Sequence, residues 1–88
     1  MSSARKRQVI CSCFAQVLRE ERVKRKLSLS ALAEKAGLSY QMISYVEREM
    51  RNPTLDTLLR ITEVLEMELS DVAARAGKMA ARRETAQG

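Results

Sequence analysis

The chain has 88 residues, enough for one small domain with a tail but not for a second independent core. Hydrophobic residues make up 45% of the chain and aromatic residues only 3%, which excludes a disordered chain and favours an all-α fold over a β-rich one. The net charge is +5, with a basic surplus in residues 5–26 and an acidic surplus in residues 55–71, a pattern that suits an anionic partner or a solvated helix face.

The first predicted helix covers residues 9–27. Its apolar residues recur at spacings of three and four, which places them on one stripe of the helix. These residues are Ile10, Cys13, Phe14, Val17, Leu18 and Leu27. Glu21 lies near the middle of this stripe, so either the helix is partly solvated there or Glu21 has a cationic partner. Val23 is predicted to point outward. Residues 1–8, with the basic run Arg5-Lys6-Arg7, are either an arm or an extension of this helix.

Two short helices joined by a turn are predicted next. Ser28 caps the second helix, since its hydroxyl can accept a hydrogen bond from a free amide of the first turn. Gly37 ends that helix in the left-handed conformation. Ser39 caps a third helix, in which apolar residues follow at helical spacing. This spacing, over about residues 28–49, is that of a helix-turn-helix unit.

A break between helices, followed by a fourth and a fifth helix, completes the predicted domain, residues 9–83. The break is Arg51-Asn52-Pro53, because a proline disfavours helical angles at the residue before it. Thr54 is predicted to cap the fourth helix and Ser70 the fifth. Residues 84–88 are expected to form a flexible tail, and residues 1–4 to be frayed.

The sequence lacks the patterns of catalysis, metal binding and membrane insertion. Cys11 and Cys13 are the only cysteines and there is no histidine, so a four-ligand zinc site cannot be assembled. We interpret both as small core or boundary residues. No cofactor and no enzymatic activity are expected, since a glycine-rich phosphate loop and a carboxylate cluster are also missing. No apolar run approaches the ~20 residues that cross a bilayer.

Five pieces of the sequence, in a fixed order and spacing, carry a resemblance to a known family. They are Leu27-Ser28, Leu32-Ala33-Glu34-Lys35-Ala36-Gly37-Leu38-Ser39, Ile43-Ser44, Glu47-Arg48 and Arg51-Asn52-Pro53-Thr54-Leu55. The segment from Phe14 to Val72 thereby resembles the helix-turn-helix domain of the Cro and phage-repressor type, the XRE family. The resemblance implies a five-helix, lambda-repressor-like fold whose third helix lies in the major groove of DNA.

The resemblance also implies two sets of DNA contacts. The outward positions of the third helix, expected to read bases, are Tyr40, Gln41, Ser44 and Tyr45. The positions expected to contact phosphates are Ser39, Arg48, Arg51 and Asn52. Gln41 can form a paired hydrogen bond with adenine, whereas an exposed glutamine can also be merely solvated. Tyr40 likewise has a purely structural alternative.

Further positions follow from the same resemblance. Arg22 and Glu47 are expected to form a partly buried ion pair between the first and third helices. Three residues depart from the family pattern. Leu29 replaces a polar residue that contacts phosphate, Glu21 replaces a core leucine, and Glu66 replaces a helix-ending glycine and is expected to lengthen the fourth helix.

The function implied is that of a sequence-specific DNA-binding transcriptional regulator, of repressor or controller type, acting as a homodimer on operator half-sites. It is expected in the cytoplasm, bacterial or phage-encoded, without membrane association. Candidate dimer residues, which can instead complete the core, are Leu69, Val72, Ala76 and Met79. The alternative is an antitoxin-like or scaffold module that binds another protein through the same fold, with Val23 and Leu29 as docking features.

Overall fold

The computed structural model describes residues 3–87, with side chains over residues 3–85. In this range it contains no strand and five helices: α1 (Ser3–Lys24), α2 (Leu29–Ala36), α3 (Tyr40–Glu47), α4 (Leu55–Val64) and α5 (Leu69–Gln87). The all-α, five-helix prediction is confirmed. The long helices α1 and α5 pack on each other, while α2 contacts both α3 and α4. None of the helices in the described range combines the length and apolar character needed to cross a bilayer.

Three helices begin with the hydroxyl caps that the sequence predicts. Ser28 accepts from the amide of Ala31 at 3.0 Å, and Ser39 from that of Met42 at 3.0 Å. Thr54 caps α4 in the same way.

The predicted cap of α5 is wrong. The carbonyl of Glu68 accepts from the amides of Asp71 and Val72, so the helix begins at Leu69 and already includes Ser70.

Four helices end with a residue in the left-handed conformation. These residues are Lys26 (φ 58°), Gly37 (φ 70°), Glu49 (φ 62°) and Glu66 (φ 54°). In each case the amide of the following residue donates to a carbonyl five positions earlier, as in the Schellman motif. The prediction for Gly37 is therefore confirmed. The expectation that Glu66 lengthens α4 is wrong, because Glu66 adopts the conformation that a glycine would adopt there and α4 ends at Val64.

The core lies where the five helices meet. Its largest fully buried side chains are Leu18, Leu32, Ile43, Ile61, Leu65, Val17, Val72, Thr62 and Cys13. Burial raises the pKa of the Cys13 thiol, so this cysteine is a protonated core residue, whereas Cys11 is exposed. Val23 points outward as predicted.

Two of the four dimer candidates belong to this core. Val72 and Ala76 are fully buried within one chain, which contradicts their assignment to a dimer surface and supports the alternative that they complete the core. Leu69 and Met79 are only half-buried.

Glu21 is buried and has a cationic partner, which settles the alternatives that its place in the apolar stripe left open. Its carboxylate accepts a hydrogen bond from Nη1 of Arg75 at 2.6 Å and lies 3.7 Å from Nε of Arg25. The hydrogen bond from Arg75 lowers the pKa of Glu21, outweighing the effect of burial. An acidic residue is therefore accommodated where an apolar one is expected.

The two ends of the described chain extend α1 and α5. Residues 3–8 are the first turns of α1, so the helix-extension alternative holds for them. On α5, Arg83 donates to Ser12 Oγ at 2.9 Å and to Gln16 Oε1 at 2.6 Å. These bonds attach α5 to α1 next to the predicted tail, and residues 84–87 of that tail continue α5 as helix. Met1, Ser2 and Gly88, which also fell within the predicted ends, lie outside the described residues.

Replacing Arg75 with alanine should lower the free energy of unfolding by about 1–2 kcal/mol near neutral pH, because the buried carboxylate of Glu21 loses its shortest hydrogen bond. Since the pKa of Glu21 is lowered in the folded state, this contribution is present above the carboxyl's ordinary pKa of about 4.3 and declines as the pH falls below it. Urea denaturation at several pH values measures both effects.

Arg82→Ala is the matched control for Arg75→Ala. Arg82 lies on the same helix, is exposed, and forms no ion pair within the part of the chain that the structure describes. Equal losses of stability in the two variants, or a loss for Arg75→Ala that does not change with pH, would contradict the role of the Glu21–Arg75 pair.

Candidate nucleic-acid interface

Helix α3 is held against the body of the protein by one face only. Ile43 and Val46 are buried in the core, and the short turn after Gly37 sets the angle between α2 and α3. Leu38, in that turn, packs against the same core. The face of α3 opposite to these residues is therefore left available to solvent.

Three of the four predicted base-reading residues lie on this open face. Tyr40 is 55% exposed, Gln41 is exposed, and Tyr45 is half-buried. We call these three residues the reading surface. Ser44 is only 8% exposed, so it lacks the exposure expected of a base-reading residue. Helical spacing places its short side chain one turn from the longer side chains of Tyr40, Gln41 and Arg48.

The reading surface is internally connected. Nε2 of Gln41 donates a hydrogen bond to the hydroxyl of Tyr45 at 2.6 Å. The guanidinium of Arg51 lies over the ring of Tyr45, 5.6 Å from its centroid, within the range of a cation–π interaction. Neither contact was predicted from the sequence. The four-residue spacing of Gln41 and Tyr45 is the signal that predicts the first, since such positions are neighbours on a helix.

The predicted phosphate-contacting residues lie at both ends of α3. Ser39 is exposed at its N-terminus, where the hydroxyl oxygen accepts from the amide of Met42 and the hydroxyl hydrogen stays available to donate. Arg48, Arg51 and Asn52 are exposed in the segment that follows the helix. This arrangement places polar donors on either side of the reading surface.

An ion pair fixes the C-terminal end of α3. Nε and Nη2 of Arg22 on α1 donate to the two carboxylate oxygens of Glu47 at 2.7 and 3.1 Å. The two side chains are 14% and 7% exposed, so the pair is largely shielded from water. Nη1 of Arg22 also donates to the carbonyl of Leu27 at 2.7 Å. One guanidinium therefore joins α1, the loop before α2, and α3.

Leu29, the remaining departure from the family pattern, has a structural role. It is half-buried and packs against the core, so its side chain contributes to folding.

Within the described residues, no group of three or more Cys, Asp or Glu side chains is arranged to hold a metal ion.

The family model for the helix-turn-helix matches residues 18–72, more than half of the chain. The chain therefore belongs to the helix-turn-helix family of XRE type, and the resemblance is confirmed. This family is normally non-enzymatic.

Two relatives from strains of Mycobacterium tuberculosis are described as uncharacterised HTH-type transcriptional regulators. Each is 35% identical to this chain over 60 residues, which cover 68% of the chain and 43% of the relative. The matched part thus spans less than half the length of these relatives. The crystal structure of the clp gene regulator ClgR from Corynebacterium glutamicum superposes with a TM-score of 0.82 at 22% identity, over 89% of this chain and 83% of that one. At that identity the likeness shows the fold.

Arg22→Ala should destabilise the domain by about 3–5 kcal/mol, because it leaves the shielded carboxylate of Glu47 without compensation. Chemical denaturation followed by circular dichroism measures the loss. We expect DNA binding to weaken only in proportion to the unfolded fraction. Normal stability combined with lost binding would instead identify Arg22 as a direct contact to DNA.

Proposed function

We propose that this protein is a sequence-specific DNA-binding transcriptional regulator that inserts α3 into the major groove. The observation that carries the proposal is the exposed, polar reading surface of α3, formed by Tyr40, Gln41 and Tyr45, with donors at both ends of the helix. Membership of the helix-turn-helix family and the HTH-type regulators among its relatives support it.

The proposed contacts divide into those that position the protein and those that read sequence. Ser39, Arg48, Arg51 and Asn52 bind phosphates and hold α3 in register, and they make binding depend on salt. Gln41 pairs with an adenine edge in the major groove. The phenols of Tyr40 and Tyr45 each supply a single hydrogen bond to a base or an apolar contact with a thymine methyl group. Ser44 is left out of this set because it is buried.

We further propose that two copies bind two half-sites as a homodimer in the cytoplasm, in the manner of a repressor or controller protein. Leu69 remains a candidate for the dimer surface, since it is half-buried on α5 and does not pack on the core cluster, whereas Met79 is half-buried but packs on the core. On α4, Leu55 and Leu59 are exposed apolar side chains that a second copy can also cover.

The second candidate function is that of a protein-interaction module. It is favoured by exposed apolar side chains outside the reading surface, of which Val23 and Met50 are each 57% exposed. Leu29 no longer supports it, because that side chain packs on the core.

Selection from a pool of random DNA duplexes at fixed salt tests the proposed function. We expect enrichment of an inverted pair of half-sites about 10 base pairs apart, centre to centre. Footprinting of the enriched duplex and a measurement of stoichiometry then report the number of copies bound. Failure to enrich any sequence would favour the protein-interaction module, since a basic chain binds random duplex in either case.

Gln41→Ala should relax the preference at one base position of each half-site, with a penalty of about 1–3 kcal/mol for the preferred base. The fold should be unaffected because Gln41 is exposed. Gln8→Ala, which removes an exposed glutamine from α1, is the control and should leave the selected motif unchanged. An unaltered motif for Gln41→Ala would exclude Gln41 from base reading.

A further inference from the structure

The hydrogen bond between Gln41 and Tyr45 restricts how the Gln41 amide can meet a base. A glutamine amide has one acceptor oxygen and two N–H donors. The bond to Tyr45 uses one N–H of Nε2, and no other bond to this amide exists among the described residues. The second N–H and Oε1 therefore stay available on the same planar group.

These two atoms are the ones that adenine requires. In the major groove, adenine presents the N6 amino group as a donor and N7 as an acceptor. Oε1 can accept from N6 while the second N–H donates to N7. Guanine presents two acceptors at these positions and leaves Oε1 without a donor. In the orientation that the structure shows, Nε2 donates to Tyr45 and Oε1 stays available to accept, a requirement that adenine meets and guanine does not.

Tyr45 is itself held in place, so its hydroxyl is a fixed anchor. The residue is half-buried, and the guanidinium of Arg51 lies over its ring. Arg51 forms no hydrogen bond or ion pair among the described residues, so its N–H donors stay available to a phosphate while the guanidinium lies over the ring. Arg51, Tyr45 and Gln41 thereby connect a phosphate-contacting position to a base-reading one.

We propose that Tyr45 is a positioning residue for base recognition: its hydroxyl, carried on the ring that Arg51 contacts, accepts from Nε2 of Gln41 and holds the amide in the orientation that leaves Oε1 for adenine. This inference rests on the proposed function, but it makes a separate claim. It assigns the discrimination at one base position to two side chains acting together rather than to Gln41 alone.

Tyr45→Phe tests this role because it removes the hydroxyl and keeps the ring beneath Arg51. The selection experiment is repeated with wild type, Gln41→Ala, Tyr45→Phe and the double variant. The position that relaxes in Gln41→Ala identifies the base that Gln41 reads, which should be adenine. At that position Tyr45→Phe should reduce the preference for adenine about three- to tenfold, the range expected for one hydrogen bond. The double variant should show no further loss beyond Gln41→Ala, since the two residues act as a unit.

Gln8→Ala is the control here as well, because it removes an exposed polar side chain that lies outside the reading surface and outside the phosphate-contacting set. Its adenine preference at the Gln41 position should equal that of wild type. Thermal unfolding of all variants shows whether a change in preference accompanies a change in folding.

A second measurement does not depend on any variant folding. In the NMR spectrum of the wild-type protein, one of the two side-chain amide protons of Gln41 should exchange more slowly with water than those of the exposed Gln8. Equal exchange would overturn the inference, as would an unchanged profile for Tyr45→Phe or a uniform loss of affinity for all sequences. If the wild-type protein selects no sequence at all, the proposed function fails. If the wild-type protein selects a sequence and Tyr45→Phe selects it with the same base preferences, only the positioning role of Tyr45 is excluded.

Discussion

The position of α3 depends on the ion pair between Arg22 and Glu47. It joins α1 to the last residue of the reading helix through two hydrogen bonds in a poorly hydrated place. The preceding residue on α1, Glu21, pairs with Arg75 on α5. Two consecutive residues of α1 therefore connect this helix to two others: Glu21 connects it to α5, and Arg22 connects it to α3. Because charges that are shielded from water are costly when unpaired, these contacts favour one arrangement of the three helices over its alternatives.

The parts of the fold that depend on local chemistry can be predicted from the sequence, and the rest cannot. The caps at Ser28, Ser39 and Thr54 require only one side chain and the first turn of the helix that follows. The helix ends at Lys26, Glu49 and Glu66 are left-handed without glycine, and nothing in these residues indicates it. The available signal lies one position later, where a large apolar residue follows each of them, as is usual in the Schellman motif. The partner of Glu21 lies 54 residues away, so only the tertiary structure identifies it.

The candidate site likewise has some features that the sequence predicts and others that only the tertiary structure shows. Helical spacing places Tyr40, Gln41 and Tyr45 on the outward face, and the structure agrees. Ser44 shows the limit of that reasoning, since spacing gives the direction of a side chain but not whether longer neighbours cover it. The contact between the Arg51 guanidinium and the Tyr45 ring also cannot be predicted from the sequence, because it depends on the path of the chain after α3. Residues assigned separately to bases and to phosphates are in contact with each other.

The size of the reading surface bears on how many copies are needed. Specific operator binding exceeds non-specific binding by about 4–10 kcal/mol, whereas one good bidentate contact discriminates by about 1–3 kcal/mol. A single α3 offers one amide capable of such a contact and two phenols that make weaker ones, which together reach only the lower end of the required range. Two copies on adjacent half-sites double the number of contacts without any new side chain. The small reading surface of α3 is thus a physical argument, separate from the family resemblance, for the dimer proposed above.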